Sequence, residues 1–255
     1  EVPLSKAVAA TNGVFRDNQP PSLASFALDL DSGVFALQFD EPVTRASLDM
    51  TKCTLAAADN EDSERVLFTN THEFLEATDI DARRVRNLLR LDFDPVTDSM
   101  GSEVLYVKLS QTDLNNLKIA ETLAVDIQST KWLSELGWVS DSVTENPSPS
   151  VTYETARNFS TDVTSPLLTG GTVDLDAAIL TLQADEPVRG ASANASYFRI
   201  SSRADGSGHT VDVDADTLLS PDAKDATSLN FRLDCFTLDQ LKLWGPHQAF
   251  LSHQP

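Results

Sequence analysis

The chain has 255 residues, 41% of them hydrophobic, and its 19 Lys plus Arg against 39 Asp plus Glu leave a formal charge of −20. That balance makes nucleic acid and anionic membrane surfaces poor partners, and no apolar run reaches the roughly 18 residues a membrane span needs. Two Cys are too few for a disulfide framework, and the four His fall into no zinc or metalloprotease spacing.

The chain opens at Glu1 rather than Met, as expected of a mature product whose signal or pro-segment has been removed, or equally of a fragment cut from a longer chain. Residues 3–23, PLSKAVAATNGVFRDNQPPSL, precede the first strongly patterned segment. Then SFALDLDSGVFALQF alternates Phe26, Leu28 and Leu30 before Ser32-Gly33 and Phe35, Leu37 and Phe39 after it. Period two predicts a hairpin, and a two-residue Ser-Gly loop would set Leu30 opposite Phe35, Leu28 opposite Leu37 and Phe26 opposite Phe39. KCTLAAA, RVLFTN, LLRLDFD and VLYVKLS read as further strands. TDLNNLKIAETL reads as a short helix with Thr112 as N-cap and Leu114 and Leu117 inward. GWVSDSVTENP is the expected closing strand, and the Ser/Thr/Pro-rich NPSPSVTYETARNFSTDVTSP the linker to a second domain.

That second domain repeats the first. VDLDAAILTLQADEPVRGAS (173–192) matches LDLDSGVFALQFDEPVTRAS (28–47), with Asp29 and Asp174, like Glu41 and Glu186, standing 145 residues apart. Ala177-Ala178 replaces Ser-Gly there and tolerates positive φ poorly, which predicts a different turn. YFRIS, HTVDVDAD and LNFRLD read as its strands. LYVKLSQTDLNNLK and NFRLDCFTLDQLK, ending at Lys118 and Lys242, match at an offset of 124, so the first copy carries an insertion of about 20 residues in a loop. The expected fold is all-β: two tandem antiparallel β-sandwiches, each with a short helix before its last strand. The domains are a 1–20 extension, 21–150 and 151–255.

Aligning Phe250-Leu251-Ser252 with Trp132-Leu133-Ser134 leaves domain two without a counterpart of GWVSDSVTENP. Residues 3–23, laid on WLSELGWVSDSVTENPSPSV at an offset of 128, set Asn18 on Asn146 and Pro21 on Pro149. Two readings stand: residues 1–20 are a frayed tail or the last strand of a preceding repeat, or they are donated to domain two of a neighbouring copy, burying Leu4, Val8, Val14 and Phe15. Such head-to-tail contacts do not close and generate a fibre.

The phrases DVTSPLLTGGTVDLDAAILTLQADEPV and QTDLNNLKIAETL resemble the tandem immunoglobulin-like, cadherin-like or bacterial Ig-like repeats of large secreted or surface proteins of algae and other microbes. The resemblance covers most of residues 21–255 and implies an extracellular, secreted or cell-surface location and tandem architecture, not an activity.

No nucleophile elbow, phosphate loop or paired-Cys motif is present, and an enzyme is not expected. Asp29, Asp31, Asp40 and Glu41 recur as Asp174, Asp176, Asp185 and Glu186, and Asp212, Asp214 and Asp216 alternate. A solvated face explains them better than a structural calcium site, and no cofactor is expected. Asn158-Phe159-Ser160 and Asn194-Ala195-Ser196 are sequons in expected linker or loop, predicting exposed, N-glycosylated Asn158 and Asn194. Cys53 and Cys235 sit at non-equivalent positions, as inert thiols or as a bond between domains or chains. The function expected is a filament protomer whose partners are copies of itself; the alternative is an adhesion or glycan-binding module of a larger surface protein.

Overall fold

The computed structural model describes residues 17–76, 78–89, 102–190, 193–203, 205, 208–213, 226–243 and 250–253. It is mostly β-sheet with a few short helices, and it divides into two compact units, Glu1–Asp162 and Val163–Pro255.

In unit 1, β1 (Leu23–Asp29), β2 (Val34–Val43), β5 (His72–Leu75), β6 (Ser102–Leu109) and β9 (Asn158–Ser160) form one sheet in the order β5-β6-β2-β1-β9. A second sheet runs β4-β3-β7-β8, from β3 (Cys53–Ala56), β4 (Arg65–Leu67), β7 (Lys131–Ser134) and β8 (Val151–Thr155). The two enclose a common core in which Phe26, Leu28, Phe35 and Leu37 of one sheet meet Leu55 and Trp132 of the other. Aromatic rings close it: Phe35 lies 5.3 Å edge-on from Trp132, and Trp132 lies 5.4 Å from Trp138.

The alternation of residues 26–39 does form the hairpin, but its register is Leu28 opposite Phe35 and Phe26 opposite Leu37. The loop is four residues long, Leu30 to Gly33, closed by the Gly33 N–H donating to the Asp29 carbonyl at 2.9 Å. The shift from the expected register is two residues, so every side chain keeps its face. Gly33 has φ +69, and Ala178, its equivalent, has φ +57. Both copies therefore share one turn, contrary to expectation, and Ala178 bears the left-handed conformation that Gly33 takes freely.

Helix α2 (Gln111–Ile119) is capped by Ser110, not Thr112: the Ser110 hydroxyl accepts from the Asp113 N–H at 3.1 Å. The capping pair reverses its chemistry in α3 (Cys235–Leu243), where Asp234 accepts from the Thr237 N–H at 2.8 Å. Three strands follow α2, β7, β8 and β9, rather than one.

The insertion falls between β4 and β6, the stretch that holds β5 and α1 (Ile80–Leu89). Leu88 and Leu89 end that helix instead of opening the expected strand LLRLDFD, whose remaining residues lie outside those described. Val85 packs with Ala27, Val34, Ala36, Val104 and Tyr106, covering the outer face of the first sheet. Arg84 reaches Asp29 and Asp31, each at 2.7 Å. Burial pushes the Asp29 carboxyl up, against the hydroxyl of Ser32 and the Arg84 charge that hold it down.

In unit 2, β10 (Leu168–Asp174), β11 (Ile179–Val188) and β14 (Ala226–Arg232) form one sheet, and β13 (Thr210–Asp212), β12 (Phe198–Ser201) and β15 (Phe250–His253) another. Leu180, Leu182, Ile200, Phe231 and Leu241 share its core. The duplication holds in the backbone: the Leu109 N–H donates to Gly33 as the Leu233 N–H does to Ala178. Trp132 and Leu251 face the equivalent residues Leu55 and Ile200, so the expected match of Phe250 to Trp132 is one residue out of step. The outer-face residues Ala27, Ala36, Val104 and Tyr106 become Thr172, Thr181, Ser228 and Asn230, and the Thr181 hydroxyl pairs with the Asn230 side chain at 2.8 Å. Polar side chains suit a face over which no helix lies among the described residues.

Candidate functional site

The unit boundary falls twelve residues later than the sequence reading set it, because residues 151–160 pair with unit 1. β8 lies antiparallel on β7, with Lys131 opposite Thr155 and Trp132 opposite Glu154. The chain then crosses to the other sheet at Ala156, whose N–H donates to the Thr130 carbonyl at 2.9 Å, and Arg157 donates to Phe26 at 2.8 Å. β9 continues parallel to β1, setting Ala27, Leu28 and Asp29 opposite Asn158, Phe159 and Ser160. This strap belongs to both sheets. Val151, Ala156 and Phe159 pack on the core, and each such side chain contributes roughly 1 to 3 kcal/mol by leaving water.

Two charged contacts hold the strap. Tyr153 sits at φ +55, where β8 gains a residue on its partner, and its hydroxyl accepts from Arg65 at 2.6 Å while the guanidinium lies 5.7 Å from the ring. Lys118, only 9% exposed at its side chain, pairs with Asp162 at 2.9 Å where the strap ends.

GWVSDSVTENP, the expected closing strand, is instead a compact loop organised by Asp141. That carboxylate accepts from the backbone N–H groups of Val143, Thr144 and Asn146 and from the Thr144 hydroxyl. Burial pushes Asp141 up, but the Thr144 hydroxyl and the three N–H groups outweigh it and hold the carboxyl down to about 2. Asn146 in turn donates to the carbonyls of Asp17 and Gln19, each at 3.3 Å, tying the start of the first repeat to this loop. Leu136 and Val143 are exposed, so the alignment of residues 3–23 on this region does not mark core positions.

Unit 2 has the same two edges. Among the described residues no strand lies beyond β10 or beyond β15, the counterparts of β1 and β7. The difference shows in burial: Phe26, Ala27, Leu28 and Asp29 are 0% exposed, whereas along β10 only Val173 is even half-buried. Gly171 stands where unit 1 has Phe26, and Leu167 and Leu168 are exposed beside it.

Of the residues singled out in the sequence, Leu4, Val8, Val14 and Phe15 lie outside the described residues. Asn158 is on β9, half-buried and paired to Ala27, rather than in an exposed linker. Asn194 is exposed and caps a 3-10 turn at Ala195–Tyr197, accepting from the Ser196 N–H at 3.0 Å. Asp49 does the same for Thr51 in unit 1, so the Asn-x-Ser spacing also serves the turn. The recurring acids are turn and strand anchors more than a solvated face: Asp174 accepts from Asp176 and Ala177, and Asp40 and Asp185 accept from Ser22 and Leu167, both at 2.7 Å. Asp212 does face solvent, paired to Arg199, between buried Val211 and Val213; Asp214 and Asp216 lie outside the described residues. Cys53 is buried in the core, where desolvation raises its thiol, and Cys235 is exposed. No cluster of three metal-ligating side chains occurs among the described residues, and none of their helices is long and apolar enough to cross a membrane.

No protein-family model and no curated protein matches the chain. Among solved structures, the S-layer protein rSbsC is similar over 65% of this chain and 18% of that one, at 16% identity and a TM-score of 0.27. A likeness at that level carries no argument about fold or role.

Proposed function

We propose that this chain is a structural protomer of an extracellular filament, built of two immunoglobulin-like sandwiches and assembled head-to-tail, the N-terminal strand of each copy completing the second unit of its neighbour. The observation that carries this reading is the strap: unit 1 is closed by residues 151–160, which lie immediately before the second repeat and bond to both sheets. Unit 2 offers the same two edges, and residues 6–15 precede the first repeat as 151–160 precede the second, at the same offset of 145. A strand that satisfies edge N–H and C=O groups and brings apolar side chains is the usual occupant of such an opening. Asn194 is the residue placed to carry sugar on the outside of such an assembly.

Negative-stain electron microscopy tests it. The full chain should form fibres, and a chain starting at Asp17 should stay monomeric with unit 1 folded. Fibres from the shortened chain would refute donation. Monomers from the full chain at every concentration, with binding on a glycan array, would support an adhesion module instead.

A further inference from the structure

Resting on the reading above, we infer that the contact between copies has a defined register, locked by an ion pair between Asp17 of one copy and Lys242 in the second unit of the next. In unit 1 the strap ends at Asp162, whose carboxylate meets Lys118 on α2 at 2.9 Å. Asp17 stands 145 residues before Asp162, and Lys242 stands 124 after Lys118, so both partners recur at the offsets of their own repeat blocks. The offset of 145 is structural as well as sequential at this point: the Ser22 N–H reaches Asp40 as the Leu167 N–H reaches Asp185. Asp17 and Lys242 are both exposed in the single chain.

The same offsets set the strands. Gly13 and Val14 fall opposite Thr172 and Val173, parallel, as Asn158 and Phe159 fall opposite Ala27 and Leu28. Ala9 and Ala10 fall opposite Leu251 and Phe250, antiparallel, as Glu154 and Thr155 fall opposite Trp132 and Lys131. Val14 takes the inward place of Phe159, beside the space that Gly171 leaves. The donor begins from a fixed point, because Asn146 holds the Asp17 and Gln19 carbonyls on its own unit. The occupant is thus a second copy of this chain, and its charge complements the acceptor at the last residue of the strap.

A charge-reversal mixing experiment tests the register. Asp17→Lys alone and Lys242→Asp alone each set like charges together and should weaken assembly at least roughly tenfold. An equimolar mixture of the two variants restores an opposite pair at every alternating contact, so it should form fibres like the wild type, as should the double variant alone. A mixture no better than its components, or single variants that assemble normally, would overturn this register. Donation itself would still be decided by the chain starting at Asp17, so the two failures are distinguishable.

Discussion

Gly33 and Ala178 occupy the same place in the same turn, yet the two positions differ in what they tolerate. At Gly33 a Cβ would sit 2.9 Å from Leu114 Cδ2, and φ is +69. Gly33→Ala should therefore lower the stability of unit 1 by about 1 to 2 kcal/mol, and Ala178→Gly should leave unit 2 unchanged or stabilise it by about 0.5 kcal/mol, as left-handed strain is relieved against a larger unfolded entropy. Denaturant unfolding checks both, and a Gly33→Ala variant as stable as wild type would contradict the shared-turn geometry. Asp141 gives a pH-dependent case. Its folded value, about 2, lies below the ordinary carboxylate value. Its stabilisation is therefore complete above about pH 4 and is lost as pH falls through the folded value. Asp141→Asn should cost on the order of 2 kcal/mol at neutral pH and flatten the fall of unit 1 stability between about pH 4 and pH 2. A variant that keeps the wild-type acid slope would show that another carboxylate carries it.

The strands that alternate cleanly were readable as elements, and their inward faces came with them: Phe26, Leu28, Phe35 and Leu37 all lie in the core. What was not readable was length in turns and identity of caps, since Leu30 continues the alternation yet belongs to the loop. Helix α1 was missed because it carries several charged residues and adjoins LLRLDFD, which alternates like a strand. A signal for it did exist in β1 and β2, where Ala27, Val34 and Ala36 make the outward face apolar as well, the mark of a sheet covered on both sides. The strap was missed for a different reason. VTYETARNFS has an apolar or aromatic residue only at every second or third position and sits among Ser, Thr and Pro, so it reads as linker; its apolar residues are divided between two sheets and show no single period.

At the scale of the molecule, the internal repeat was fully legible at its two offsets, but a repeat in sequence is not a unit in space. The match begins near Asp162, and the unit it follows ends there too, so the strap falls in the one stretch where the second copy had nothing to be compared with except residues 6–15. The offset of 145 reaches that stretch, whereas the alignment at 128 led to the exposed loop around Val143. The parallel pairing of β1 and β9 also bears on how unit 1 responds to tension. The chain enters β1 from Asp17 and leaves β9 towards Val163, and because the strands run the same way, a pull on the two ends slides one along the other. The ladder, with Arg157 donating to Phe26 and Leu30 to Ser160, is then loaded in shear, all bonds at once, instead of being peeled one at a time. In single-molecule pulling unit 1 should rupture in one high-force event, and Arg157→Pro, which removes one of those donors, should lower that force; gradual opening at low force would contradict the shear geometry. Closed in this way, a segment that connects two repeats along the chain is also the latch that keeps the first of them shut under load.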